Sequence, residues 1–209
     1  MKLVIVKYNA GNIQSVLYAL ERIGMEAVVT DDHQQIKEAD KVIFPGVGEA
    51  SSAMGYLQER GLDTVIKNLQ QPVLGICLGM QLMCAFSEEN NTNCLGIFNE
   101  QVKWFKNIHP KVPSQSSTSS VLPQSKIPQI GWNNIYHLQT PLFKGIPENS
   151  YCYFVHGYYA ALGEHTIATT DYIQPYSSAL HKNNFYGTQF HPEKSAAVGE
   201  QILKNFIHL

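Results

Sequence analysis

No apolar run in this sequence approaches the roughly 20 residues needed to cross a bilayer. Charge is scarce as well: 15% of residues are charged and the net charge is −2. That leaves no basic excess of the kind that holds nucleic acid or an anionic membrane surface, and neither partner is expected. Cysteine is limited to Cys77, Cys84, Cys94 and Cys152, at no metal-ligand spacing, so no metal is expected. Four free thiols fit a reducing compartment. The opening residues, Met1-Lys2-Leu3-Val4-Ile5-Val6-Lys7, turn polar too soon for a secretory signal, and a cytoplasmic setting is the expectation. Internal repeats are absent. What remains is an ordinary composition, 44% apolar over 209 residues, enough to bury a real core. One domain over 1–209 is expected.

The first 85 residues alternate between two periods. Residues 2–8, 27–29, 41–44 and 73–76 read as short buried strands. Between them, residues 13–23 carry Ile13, Val16, Leu17, Leu20 and Ile23 on one helical face, with Asn12 as a candidate cap and Gly24 as a stop. Helical patterns also cover 34–38 and much of 50–69. Strand–helix alternation of this kind argues for an α/β fold: an open, mainly parallel sheet with helices on both faces. The second half changes character. Strand patterns appear at 95–105, 134–137, 151–155, 166–170, 178–181 and 185–190, predicting smaller antiparallel pieces. Residues 109–126, rich in Ser, Pro and Gln, predict a long polar loop. A closing helix is predicted over 196–207, with Ala197, Ile202 and Phe206 inward.

Three stretches carry chemistry. Gly75-Ile76-Cys77-Leu78-Gly79 lies between a strand pattern and a helix pattern. A small-x-nucleophile-x-small turn there is the arrangement of a nucleophile elbow, with the following helix directing its positive end at the sulfur and favouring thiolate. A buried structural cysteine fits this stretch about as well. Gly187-Thr188-Gln189-Phe190-His191-Pro192-Glu193 ends a strand in a histidine, with a carboxylate two residues on. Histidine can hold and return a proton near neutral pH, and Glu193 could fix its tautomer. Pro45-Gly46-Val47-Gly48 follows a strand directly. It could turn a backbone N–H inward as an oxyanion donor, partnered by the amide of Leu78. The lack of a following Lys-Ser/Thr pair argues against a phosphate-binding loop, and a plain tight strand-to-helix turn fits this stretch better when it is taken alone.

Together these three stretches resemble the signatures of the class I, triad-type glutamine amidotransferases. Within that class, Pro45-Gly46-Val47-Gly48, Gly131-Trp132-Asn133 and Tyr153-Phe154-Val155-His156 are similar to the glutaminase subunits of imidazole glycerol phosphate synthases. The resemblance runs from the first strand to the last helix and implies a flavodoxin-like sheet. It also implies a catalytic triad of Cys77, His191 and Glu193, with Cys77 forming a γ-glutamyl thioester from L-glutamine. Val47 and Leu78 would supply the oxyanion hole; Gly46, Gly48 and Gln81 would bind substrate; no cofactor is implied. Asn12 and Trp132 would face a partner, a (β/α)₈ cyclase subunit in a heterodimer, which consumes the ammonia in histidine biosynthesis. Trp132 is expected on a loop, because Gly131 and Asn133 flank it. His156 reads as a satisfied core histidine. The glycines around Val47 would permit a peptide flip that switches the oxyanion hole on. A paralogous subunit feeding a sugar-amidine-forming amidotransferase, or a non-catalytic regulatory partner, are the alternatives. The chain departs from the pattern at Gln129-Ile130 and at Gly157.

Overall fold

Alternation in the first strand, β1 (Leu3–Val6), sets the architecture. Leu3 and Ile5 enter one hydrophobic cluster and Val4 and Val6 another, all buried. A strand buried on both faces needs helices on both sides of its sheet. The structure is a computed structural model that describes residues 1–9, 11–106 and 126–209. The polar loop expected at 109–126 falls outside those residues except for Lys126.

In chain order, β1 is followed by α1 (Ile13–Arg22), β2 (Val28–Thr30), α2 (His33–Lys37), β3 (Lys41–Gly46), α3 (Ala50–Glu59), α4 (Leu62–Lys67), β4 (Val73–Cys77) and α5 (Leu78–Met83). Three short strands follow: β5 (Phe86–Ser87), β6 (Thr92–Asn93) and β7 (Gln101–Trp104). The rest is β8 (Gln129–Ile135), β9 (Ser150–His156), β10 (Tyr158–Ala160), β11 (Thr166–Asp171), β12 (Pro175–Lys182), β13 (Phe185–Thr188) and α6 (Ala196–Ile207). The main sheet runs β2-β1-β3-β4-β13-β12-β10-β7-β5-β6, with β11 paired to β12. From β2 to β13 every pairing is parallel; β13–β12, β12–β10 and β10–β7 are antiparallel. This is the mixed, mainly parallel sheet expected, joined to antiparallel strands in the second half.

The helices divide between the two faces by their apolar stripes. Leu57, Leu62, Ile66 and Leu82 from α3, α4 and α5 join Val4, Val42 and Phe44. Val16 and Leu20 of α1, with Ile202, Leu203 and Phe206 of α6, join Ile5, Ile43, Leu74 and Ile76. Ala197 is exposed, contrary to expectation, and Gly199 is buried in its stead. A Cβ on Gly199 would lie 1.9 Å from the Pro192 carbonyl oxygen, so the helix start packs directly on the preceding turn.

Strand boundaries differ most from the sequence reading in two places. The strand expected over 95–105 is confined to β7, and the one at 134–137 begins earlier, at Gln129. Strand β8 pairs with β9 in a separate two-stranded ribbon, register Trp132↔Tyr153. Trp132 is therefore on a strand and not on a loop. Gly131, at φ 130°, interrupts the apolar pattern without ending the ladder.

Candidate active site

Cys77 is the last residue of β4 and immediately precedes α5, with φ 53° and ψ −107°. A non-glycine residue holds that conformation only when its surroundings enforce it. The enforcement comes from the close approach of β3 to α5. A Cβ on Gly79 would lie 1.8 Å from the Phe44 carbonyl oxygen. Glycine at 79 is thus what lets α5 start against β3, directly beneath the thiol. Leu78, the first residue of α5, has an amide with no carbonyl one turn back to receive it.

Gly46 pairs in register with Cys77 across β3 and β4, which puts the Pro45–Gly48 turn beside the sulfur. The buried Tyr8 hydroxyl donates to the Pro45 carbonyl at 2.6 Å and fixes this turn from below. Burial first, and the neighbouring Cys77 second, push the Tyr8 hydroxyl well above its usual pKa, so it stays a donor. A cavity of about 380 Å³ opens here, lined by Val47, Gly48, Cys77, Leu78 and Gln81 on one side. Glu89, Trp104, Pro128 and the segment Val155–Tyr158 line the other. Gly46 does not line it; the Tyr8 hydroxyl sits where a side chain at 46 would start.

The histidine arrives from the neighbouring strand. β13 runs parallel to β4, pairing Thr188 with Ile76, so the chain leaving β13 passes the elbow. His191 is clamped by its backbone: its N–H donates to the Tyr153 carbonyl at 2.9 Å, and its own carbonyl accepts from Ser195 Oγ at 2.7 Å. Its Nδ1 meets Glu193 Oε1 at 2.7 Å, with both side chains buried. That bond leaves Nε2 as the proton-accepting nitrogen. Nε2 is buried and has no hydrogen-bond partner among the described residues. Burial works against the imidazolium, but the Cys77 sulfur and Glu193 outweigh it and raise the His191 pKa from 6.5 to about 10. The arrangement therefore favours the imidazolium form of His191.

Other residues behave less simply. Asn12 occupies the N-cap position of α1, as expected, but its side chain makes no capping hydrogen bond. Its backbone is left-handed at φ 75°, and its side-chain amide donates to Glu193 Oε1 instead. A site residue expected at a partner surface thus touches the carboxylate of the His191–Glu193 pair. Trp132, the other expected partner residue, is 53% exposed. Gln81 is buried, and its amide donates to the Tyr158 carbonyl and to Gln189 Oε1, each at 2.9 Å. His156 is satisfied at both ring nitrogens, by the Tyr158 carbonyl at 2.7 Å and the Tyr176 hydroxyl at 3.3 Å. Burial drives its pKa down to about 3, so it is a neutral part of the cavity wall.

Three residues of the site escaped the sequence reading. Gln189, fully buried, donates from Nε2 to Cys77 Sγ at 3.7 Å. It lies two residues before His191 on the same strand exit, and the period of two would have put both on one side. Glu89 lines the cavity from a short 3₁₀ turn, its Oε2 accepting from the Ala50 N–H at 2.7 Å. Burial raises its pKa. No local pattern marks it. Trp104 closes the far wall over Gly157, where a Cβ would lie 2.7 Å from the indole. The missing side chain at 157 makes room for that ring.

The glutamine amidotransferase class-I family model matches residues 4–209, and the chain belongs to that family. Curated relatives carry the name imidazole glycerol phosphate synthase subunit HisH. The one from Bacteroides fragilis is 57% identical over 209 residues, covering all of both chains. The one from Bacteroides thetaiotaomicron is 54% identical, again covering all of both. A Haemophilus influenzae relative is 44% identical over 99% of this chain and 97% of its own. Among solved structures, a glutamine amidotransferase superposes with TM-score 0.70 at 16% identity, covering 98% of this chain and 97% of that one. PurLQS from Thermotoga maritima gives 0.67 at 15%, covering 99% and 97%. At such identities the likeness is one of fold.

Proposed function

We propose that this chain is the glutaminase subunit of an imidazole glycerol phosphate synthase, one glutaminase domain that releases ammonia from L-glutamine for a cyclase partner. The observation that carries the reading is the strained Cys77 at the cavity floor with the buried His191–Glu193 pair behind it. Full-length identity to the HisH relatives supports the choice of pathway.

In this reading the Cys77 sulfur attacks the side-chain amide carbon of glutamine. The developing oxyanion takes hydrogen bonds from the Val47 and Leu78 amides. His191 Nε2 gives its proton to the departing ammonia and then takes one from water, which hydrolyses the thioester to glutamate. Glu193 holds the imidazole by Nδ1, and Asn12 steadies Glu193. Gly48 and Gln81 shape the pocket around the substrate side chain. Glu89 is a carboxylate at the cavity wall, suited to pair with the α-ammonium of glutamine.

The partner surface in this reading is the outer face of the β8–β9 ribbon. Ile130, Trp132 and Tyr151 share that face and are 64%, 53% and 59% exposed. An apolar, aromatic-rich patch of this kind marks a docking site. It backs directly onto the cavity, since Val155 of the same ribbon contacts Cys77. A cyclase barrel seated there would receive ammonia without releasing it to solvent. No helix among the described residues is long and apolar enough to cross a membrane.

The test is co-purification with a candidate cyclase subunit and turnover of its ribulosyl aminoimidazole-carboxamide nucleotide. Wild type should use glutamine or ammonium salts; Cys77→Ala should use ammonium salts only. Turnover with ammonium but none with glutamine in wild type would overturn the reading.

A further inference from the structure

The sulfur of Cys77 has two polar neighbours besides His191, and they want opposite things from it. The Val155 carbonyl oxygen, at 3.8 Å, can only accept. The Gln189 Nε2, at 3.7 Å, can only donate. A neutral thiol satisfies the first; a thiolate repels it and draws on the second.

The direction of the Gln189 amide is set by a chain of partners. The Tyr158 carbonyl requires a donor, so Gln81 must turn its Nε2 that way. The same Nε2 then requires an acceptor on its other side, which is Gln189 Oε1. With its oxygen committed, Gln189 can point only its NH₂ group at the sulfur. Flipping either amide would set NH₂ against NH₂ or oxygen against oxygen in a buried space. Gln189 has no exposure at all, so no water replaces it.

We propose that Gln189 is a catalytic hydrogen-bond donor to the Cys77 thiolate, oriented for that task by Gln81 and the Tyr158 carbonyl. When the thiol proton passes from Sγ to His191 Nε2, the Val155 carbonyl loses its donor. The Gln189 N–H becomes a charge-assisted bond to the new anion, of a kind stronger than the neutral contact it replaces. The donor is fixed before the charge appears, so no reorganisation is needed as it forms. Gln81 thereby has two duties: it shapes the glutamine pocket, and it aims the group that holds the nucleophile's charge. This proposal rests on the reading of Cys77 as the nucleophile.

The test is alkylation of the full chain by iodoacetamide, followed at the Cys77 peptide by mass spectrometry at pH 7 and pH 10. Gln189→Met keeps the bulk and removes the donor. Its Cys77 should alkylate about tenfold more slowly than wild type at pH 7, one charge-assisted bond's worth, and within about twofold of it at pH 10, above the ordinary range of a cysteine thiol. Gln81→Met, which releases Gln189 without touching the sulfur, should show a smaller loss at pH 7 only. It serves in place of Gln189→Met if thermal unfolding shows that variant unfolded. An unchanged rate at pH 7, or equal slowing at both pH values, would overturn the proposal, the second meaning altered access alone. Trapping a γ-glutamyl thioester on wild type separates the two readings. Its absence beside a loss confined to pH 7 counts against the glutaminase, and its presence without that loss counts against the hydrogen bond.

Discussion

Replacing Glu193 by glutamine isolates the worth of a single buried charge. The side chain keeps its shape, and an amide oxygen at the Oε1 position can still accept from His191 Nδ1 and from Asn12. What disappears is the negative charge 2.7 Å from an imidazole in a site closed to solvent. A carboxylate in contact with a cation shifts its titration by about 1–3 pKa units, or roughly 1.4–4 kcal/mol. His191, raised to about 10 by the Cys77 sulfur and Glu193 against the pull of burial, should therefore titrate lower in Glu193→Gln. The sign for stability follows. A histidine whose folded value lies above its unfolded 6.5 contributes fully below 6.5 and loses that contribution as pH climbs towards 10. Glu193→Gln should be less stable than wild type at pH 6, with the gap closing by pH 10. Glutamine-dependent kcat should fall about 10²–10³-fold with the imidazolium no longer stabilised by a neighbouring charge, while ammonium-dependent turnover stays at the wild-type level. Chemical denaturation at pH 6 and pH 10, with steady-state turnover on both nitrogen sources, measures all of this. Glutamine turnover within threefold of wild type, together with a pH-independent stability difference, would refute the reasoning.

Gly79→Ala drives a Cβ into the Phe44 carbonyl, which cannot move without breaking β3. It should cost about 3 kcal/mol or more in urea unfolding, well beyond an ordinary Gly→Ala change in a helix. Tyr8→Phe leaves the buried Pro45 carbonyl without its donor and should cost about 1–3 kcal/mol by the same measurement. Trp132→Glu alters an exposed side chain on the β8–β9 ribbon. Its thermal midpoint should stay within about 2 °C of wild type, while affinity for the cyclase partner falls about thirtyfold or more by calorimetry.

How much of this could be read from the sequence depends on the range over which each constraint acts. The elbow was legible because its requirements are local: a strand, two glycines and a helix within a dozen residues, and Gly79 has its packing reason directly in β3. His191 and Glu193 were legible for the same reason, since two residues suffice to bring a carboxylate onto an imidazole. The parallel pairing of the first half followed from strand–helix alternation, though not the order of its strands. The ribbon was not legible as a ribbon. Trp132, Ile130 and Tyr151 lie on a strand face that covers no core, so their pattern never alternates against a buried partner, and a glycine in the middle looked like a turn. Asn12 was misread in one respect because capping is a local rule. Its side chain is turned instead to donate to Glu193, far along the chain and beside it only after folding. Gln189 carries the lesson furthest. It stood inside a recognised motif and was passed over, since its neighbour His191 accounted for the chemistry. Its orientation depends on Gln81 and Tyr158, on two other elements, and only their apposition gives an ordinary buried amide a direction. A motif names the residues that react; the groups that hold a charge in place are recruited from wherever the sheet brings them.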